Sequence, residues 1–349
     1  MTLPFTDRCV LLTGAGGSIG AALAKEICKQ KPRTLILLDH SERNLHQIDL
    51  DLANICRGDV RIATLGDISD ETLLAELFEE HRPEIIVHTA AYKHVPLMER
   101  SPLAAVRNNV LGTNLLARMA RSYGVGTFVM VSTDKAVNPH SVMGASKRAS
   151  ELALLRWTSP GSSMRAVRLG NVLGSHGSVV PTFLQQISEG GPVTVTHPEV
   201  SRYFHSLEEA VELLVLTVSF EGASGVYIPH PGEPVRILDL ARQLIQEAGS
   251  ERLAEIPIVI TGLRPGDKMN EEFLGPQESV VSEQNAKVRR IYTPQPSPEQ
   301  FDAAMDALRR HVERRDLTGV LAVLCQLVHE YRPSKNVLES REAPEASSR

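Results

Sequence analysis

Apolar runs without clean period-two alternation recur through the first half of the chain, at Arg8–Thr13, Thr34–Leu38, Val60–Leu65, Glu84–His88, Thr127–Ser132 and Met164–Leu169. Strands covered on both faces read this way, because neither side of the pleat meets water. Between them, Ser18–Lys29, Ser41–Cys56, Asp70–His81, Ala104–Tyr123 and Ser141–Trp157 carry helical spacing. Repeated strand–helix units predict an α/β protein built on a Rossmann-type doubly wound parallel sheet with right-handed crossovers.

Beyond about residue 170 the punctuation changes. Gly and Pro become frequent, in GSHGSVVP, EGGPV, IPHPGEPV, TGLRPGDK and TPQPSP. That composition predicts a smaller, loop-rich substrate-binding domain over the carboxyl ends of the strands. Ser206–Val218 and Ile237–Ala248 read as helices, and two more, about Pro298–Glu313 and Leu317–Tyr331, close the fold. The expected division is residues 1–170 for dinucleotide binding, with a return at about 203–230, and residues 171–202 and 231–332 for substrate. Residues 333–349 are polar and read as a disordered tail.

Composition narrows the picture little but usefully. The chain has 349 residues, 42% of them hydrophobic, and a formal net charge of -5. That is enough apolar material for a sizeable core, and the acidic balance argues against nucleic acid as a partner. The four cysteines form no CxxC pair, which fits reduced thiols. No run approaches the roughly 18 apolar residues a membrane span needs, and MTLPFTDRCVLLTG lacks the plan of a signal peptide. A cytoplasmic protein without membrane insertion is expected.

The first candidate chemistry is a glycine loop. Gly14, Gly17 and Gly20 have GxxGxxG spacing, directly after the first predicted strand, and Ser18 and Ile19 open the helix that follows. Glycines there permit a tight turn and close backbone approach to a pyrophosphate, which the helix N-terminus attracts. Asp39 ends the second strand, where a carboxylate accepts from ribose hydroxyls and repels a 2′-phosphate; this predicts NAD rather than NADP. Asp67 and Ile68 follow the third strand, placed to take the adenine amino group and ring. The second candidate is the end of the fifth strand, where Thr133, Asp134 and Lys135 bring a hydroxyl, a carboxyl and an amine to the ligand-binding edge of the sheet. Met143 and Lys147 lie one turn apart on the next predicted helix.

These segments carry a resemblance. TGAGGSIG, HTAAYKHVPLME, NNVLGTNLL, STDKAVNPHSVMGASKR, RLGNVLGSHGSVVP, RYF and GLRPGDK resemble the extended short-chain dehydrogenase/reductases, and among them the UDP-N-acetylglucosamine 4,6-dehydratases of capsule and glycan biosynthesis. The likeness spans residues 13 to about 268. It implies a lyase acting on a UDP-sugar: NAD oxidises carbon 4, water is eliminated across carbons 5 and 6, and hydride returns to carbon 6. In that scheme Asp134 is the acid and Lys135, in place of the usual Glu, the base; a lysine base requires a depressed pKa. Thr133 assists Asp134 at the carbon 4 hydroxyl. Met143 stands where the superfamily has its catalytic Tyr, and a thioether cannot take that proton. Lys147 matches the motif lysine that binds the nicotinamide ribose.

The resemblance also places Ala90 and Ala91 along the cofactor, and Lys93, Asn171, Arg202 and Arg264 against the sugar or the nucleotide diphosphate. Asn109 reads as a holder of backbone near the site. The superfamily commonly pairs through the helices beside its active site, here Ala104–Tyr123 and Ser141–Trp157, so a homo-oligomer is expected. The chain departs from these relatives at His205, at His230–Pro231 and at Met269–Asn270, all in the substrate region. No HxH or HExxH pattern occurs, and no metal site is predicted. A nucleotide-sugar epimerase, or a protein that binds NAD without catalysis, are the alternatives.

Overall fold

The computed structural model describes residues 3–248, 256–283, 287–335 and 337, apart from residues 57, 176, 222 and 231. Six strands, β1 (Cys9–Thr13), β2 (Thr34–Asp39), β3 (Arg61–Leu65), β4 (Ile85–His88), β5 (Thr127–Thr133) and β6 (Ser163–Leu169), lie parallel in the order 3-2-1-4-5-6. Gly225–Pro229 continues the sheet in parallel beside β6. The order reverses between β1 and β4, which opens the ligand crevice of a doubly wound fold at their carboxyl ends.

The missing alternation now has its cause. Val10 and Leu12 of β1 face a core with Leu23 and Ile27 of helix α1 (Ser18–Lys29) and with Leu214. Cys9 and Leu11 face a second core, with Phe78 and Leu116, on the opposite side of the sheet. Every position of β1 is therefore buried.

Two features depart from the sequence reading. Residues 231–332 do not all join the substrate region. Val288–Tyr292 pairs antiparallel with Gly225–Pro229, and Ser279–Glu283 with Val288–Tyr292, completing the main sheet. The helices Pro298–Glu313 and Leu317–Leu327 pack across the helix Val142–Arg156, where Phe301, Leu308 and Leu324 meet Ala145 and Leu152. That helix is buried from Val142 through Leu154. The chain thus covers, by itself, one of the two helices through which pairing was expected. The smaller unit keeps its own core, in which Phe183, Val193, Val195 and Ile237 meet. It is built on Val179–Ser188, Ile237–Glu247 and the parallel pair Val193–Val195 with Ile258–Ile260.

A buried ionic network ties the main sheet to the helix Val142–Arg156 and to the segment before Ser279–Glu283. Arg168 of β6 is 0% exposed and binds Glu151 and Glu278 bidentately, while Arg148 reaches Glu151 at 3.1 Å and Glu330 at 2.9 Å. Among the described residues no helix is long and apolar enough to cross a membrane. The departure at His230–Pro231 lies partly outside the described residues, as do residues 336 and 338–349 of the expected tail.

Candidate active site

The cofactor half is built at the ends of β1, β2 and β3. Gly14 turns with φ +68°, and a Cβ on it would stand 2.6 Å from the Ala90 nitrogen; one on Gly20 would stand 2.1 Å from the Gly14 carbonyl. Only glycines allow the turn, the facing loop and the helix to approach this closely. Gly17 caps α1 and makes no side-chain cap hydrogen bond, and the helix opens at Ser18 and Ile19. The Ile19 side chain itself packs into the core. Gly14, Asp39, Asp67, Ile68 and Ala90 line one cavity, joined by His40 and Asn108, which the sequence reading did not single out. Asp39 is 6% exposed; its Oδ2 accepts from the Gly16 amide at 2.9 Å and its Oδ1 from the Ser41 amide at 2.8 Å. A carboxylate has lone pairs beyond these two bonds, so it still offers acceptors to a ribose. Cradle, cavity and carboxylate fit a dinucleotide.

The floor of the crevice holds a group the sequence did not flag. His88, fully buried at the end of β4, bridges Thr13 Oγ1 (2.6 Å) and Thr113 Oγ1 (2.9 Å). Burial, reinforced by the Lys147 charge, lowers its pKa to about 3, so the ring stays neutral. Asn109 ties the loop after β4 to the helix Val142–Arg156. Its Oδ1 accepts from the Tyr92 amide, and its Nδ2 donates to the Tyr92 carbonyl and to Ser146 Oγ.

Asp134 and Lys135 stand in a tight turn after β5. The helix Val142–Arg156 presses on that turn: a Cβ on Gly144 would lie 2.3 Å from the Lys135 carbonyl. Asp134 is 0% exposed. Its Oδ1 accepts from Thr133 Oγ1 at 3.0 Å and from Lys135 Nζ at 2.9 Å, whereas its Oδ2 is buried with no hydrogen-bond partner. Lys135 Nζ also donates to Asn171 Oδ1 at 3.0 Å and lies 3.7 Å from Glu271 Oε1. Burial opposes the ammonium, but the Asp134 and Glu271 carboxylates outweigh both burial and the Arg202 charge, and the Lys135 pKa is raised. The depressed value expected of a free base is not what this site produces. Lys147, by contrast, has no ion pair among the described residues; burial lowers it to about 8, with Glu151 partly offsetting. Met143 is 3% exposed and packs in an apolar cluster with Val95, Met98 and Leu321.

The remaining candidates divide. Asn171 joins Lys135 directly. Lys93 is exposed on the loop after β4. Arg202 is buried and committed: its guanidinium donates to the carbonyls of Ser201, Lys268 and Met269. It therefore clamps the loop at Lys268–Met269, with three of its five N–H donors spent on backbone. Arg264 is mostly exposed and pairs with Asp267 at 2.9 Å. Two further residues were not singled out as site residues. Glu271 is buried beside Lys135, Arg202 and Lys268. His205, noted only as a departure, has a buried Nε2 without a partner and feels the Asp134 charge.

Residues 10–293 match the family described as "Polysaccharide biosynthesis protein". The chain is 43% identical over 276 residues to the capsular polysaccharide biosynthesis protein CapD of Staphylococcus aureus. That alignment covers 78% of the chain and 46% of CapD, so the chain spans about half the length of this curated relative. It is 30% identical over 300 residues to a UDP-glucose 4-epimerase of Rickettsia massiliae, covering 82% and 83% of the two. Among solved structures, Pen from Bacillus thuringiensis superposes with a TM-score of 0.72 at 27% identity, over 84% of this chain and 90% of that one.

Proposed function

Since the chain belongs to the polysaccharide biosynthesis protein family, we propose that it is an NAD-dependent 4,6-dehydratase of a UDP-N-acetylhexosamine, yielding the 4-keto-6-deoxy sugar nucleotide. The observation that carries this reading is the pair Asp134–Lys135: a buried carboxylate with one unpartnered oxygen, hydrogen-bonded through the other to an ammonium at 2.9 Å. The glycine cradle at Gly14, Gly17 and Gly20, Asp39, and Lys147 would hold NAD, which when bound supplies reversible hydride acceptance.

The chain's own groups supply the proton chemistry. In the resting site the shared proton sits on Lys135, because two carboxylates face it. A bound sugar excludes water, and loss of water penalises both charges of the pair. Moving the proton along the 2.9 Å hydrogen bond relieves that penalty. It leaves Asp134 as a carboxylic acid and Lys135 as a neutral amine. Lys135 Nζ then takes the carbon 5 proton, and Asp134 gives the proton it received at Oδ1 to the departing carbon 6 hydroxyl. Thr133 Oγ1, already bonded to Asp134, orients that carboxyl. Asn171 holds Lys135 from the opposite side. Arg264, the more exposed arginine, is assigned to the diphosphate, and Arg202 to holding the loop at Lys268–Met269.

Epimerisation of the same nucleotide sugar is the second reading, favoured by the Rickettsia relative's name. Mass spectrometry of UDP-N-acetylglucosamine after incubation with protein and NAD separates the two. Loss of one water supports the dehydratase. Unchanged mass with a new retention time supports the epimerase and defeats the first reading.

A further inference from the structure

Glu271 neither gives nor takes a proton in the steps above, yet it is 6% exposed and sits among three cations. Its Oε1 lies 3.7 Å from Lys135 Nζ and 3.9 Å from Arg202 Nε, and its Oε2 lies 3.6 Å from Lys268 Nζ. None of these is a hydrogen bond, and Oε2 is buried without any partner. Two of the cations are already occupied. Lys268 donates to the Val137 carbonyl at 2.7 Å, and Arg202 donates to three backbone carbonyls. A carboxylate that served packing alone would be expected to take direct donors, since an unsatisfied buried acceptor costs about 1–3 kcal/mol.

We propose that Glu271 is a positioning residue that holds Lys135 in its ammonium form in the resting site, and so sets the pH above which the Asp134–Lys135 pair loses the shared proton it works with. Three charges face Lys135. Asp134 comes from its own turn, Glu271 from the loop after Ile258–Ile260, and Arg202 from the strand Ser201–Arg202. Asp134 and Glu271 favour the ammonium and Arg202 opposes it. Without Glu271, Asp134 still outweighs Arg202, but burial, the largest influence on the amine, is opposed by one carboxylate instead of two. The inference deepens the dehydratase reading and rests on it for its catalytic meaning.

The test reads Lys135 directly. The full chain is pulsed with a limiting amount of acetic anhydride between pH 7 and 11. Acetylation of Lys135 is then scored by mass spectrometry against the exposed Lys31. Only the neutral amine reacts, so Glu271→Gln should raise the Lys135-to-Lys31 ratio at pH 8 about tenfold, the effect of a one-unit fall in pKa. Glu271→Asp, which keeps the charge, should stay within about twofold of the parent. A ratio unchanged by Glu271→Gln in a folded protein overturns the proposal. If that variant does not fold, Lys268→Met serves instead: it unshields Glu271 and should lower the ratio, and an unchanged or higher ratio is a refutation. In dehydration assays the alkaline limb of the kcat profile should move to lower pH in Glu271→Gln. A parent that forms no dehydrated sugar defeats the functional reading but leaves the labelling result standing.

Discussion

At the scale of single residues, the position of Met143 and the orphan oxygen of Asp134 make opposite demands. Met143 lies in apolar packing, so Met143→Leu, which hardly changes volume, should cost under about 1.5 kcal/mol of stability and leave most of the turnover. Complete loss of activity with the fold intact would mean that the thioether acts in the reaction. Asp134→Asn removes the acid while keeping the shape, and turnover should fall by about 10²–10⁴-fold; an effect of a few-fold would shift the acid elsewhere. Both residues were legible because the TDK and MGASK segments are contiguous. Glu271 and His205 were not, because their meaning comes from neighbours 136 and 71 positions away in the chain, Lys135 and Asp134. Lys135 itself shows the limit of reading one residue alone: its amine was legible, but the two carboxylates that raise its pKa were not.

At the scale of elements, the parallel strands were legible because burial on both faces leaves a continuous apolar run. The antiparallel pair Ser279–Glu283 and Val288–Tyr292 was not, since its mixed polarity, in SVVSE and VRRIY, resembles loop. The network centred on Glu151 ties β6, the helix Val142–Arg156 and the segment that leads to this pair. Burial would raise the Glu151 pKa, but Arg168, Arg148 and Ser132 bring it down to about 2 from an ordinary 4.5. The sign follows: its stabilisation is present above pH 4.5 and is lost as pH falls toward 2. Glu151→Gln should therefore lower stability at pH 7 and flatten the decline between pH 4.5 and 2. Denaturant melts at a series of pH values measure both, and an unchanged slope would show that the acid limb is set by other carboxylates.

At the scale of the whole molecule, the C-terminal helices decide which surfaces are available for assembly. Leu152 is 3% exposed within one chain, packed beneath Pro298–Glu313 and Leu317–Leu327. Leu152→Asp would bury an uncompensated charge there, with a loss of about 3–5 kcal/mol. The melting temperature should drop at every protein concentration. A variant that only loses mass by light scattering, with its melting temperature kept, would mean that this helix is an intersubunit surface after all. The burial of Val142 through Leu154 also bears on how related sequences would compare. This helix has almost no solvent side on which substitutions could drift, so packing alone would hold its residues nearly fixed across relatives. Invariance at Ala149 or Leu152 would say nothing about chemistry, whereas variation on the exposed loop around Lys93 would be informative about the sugar.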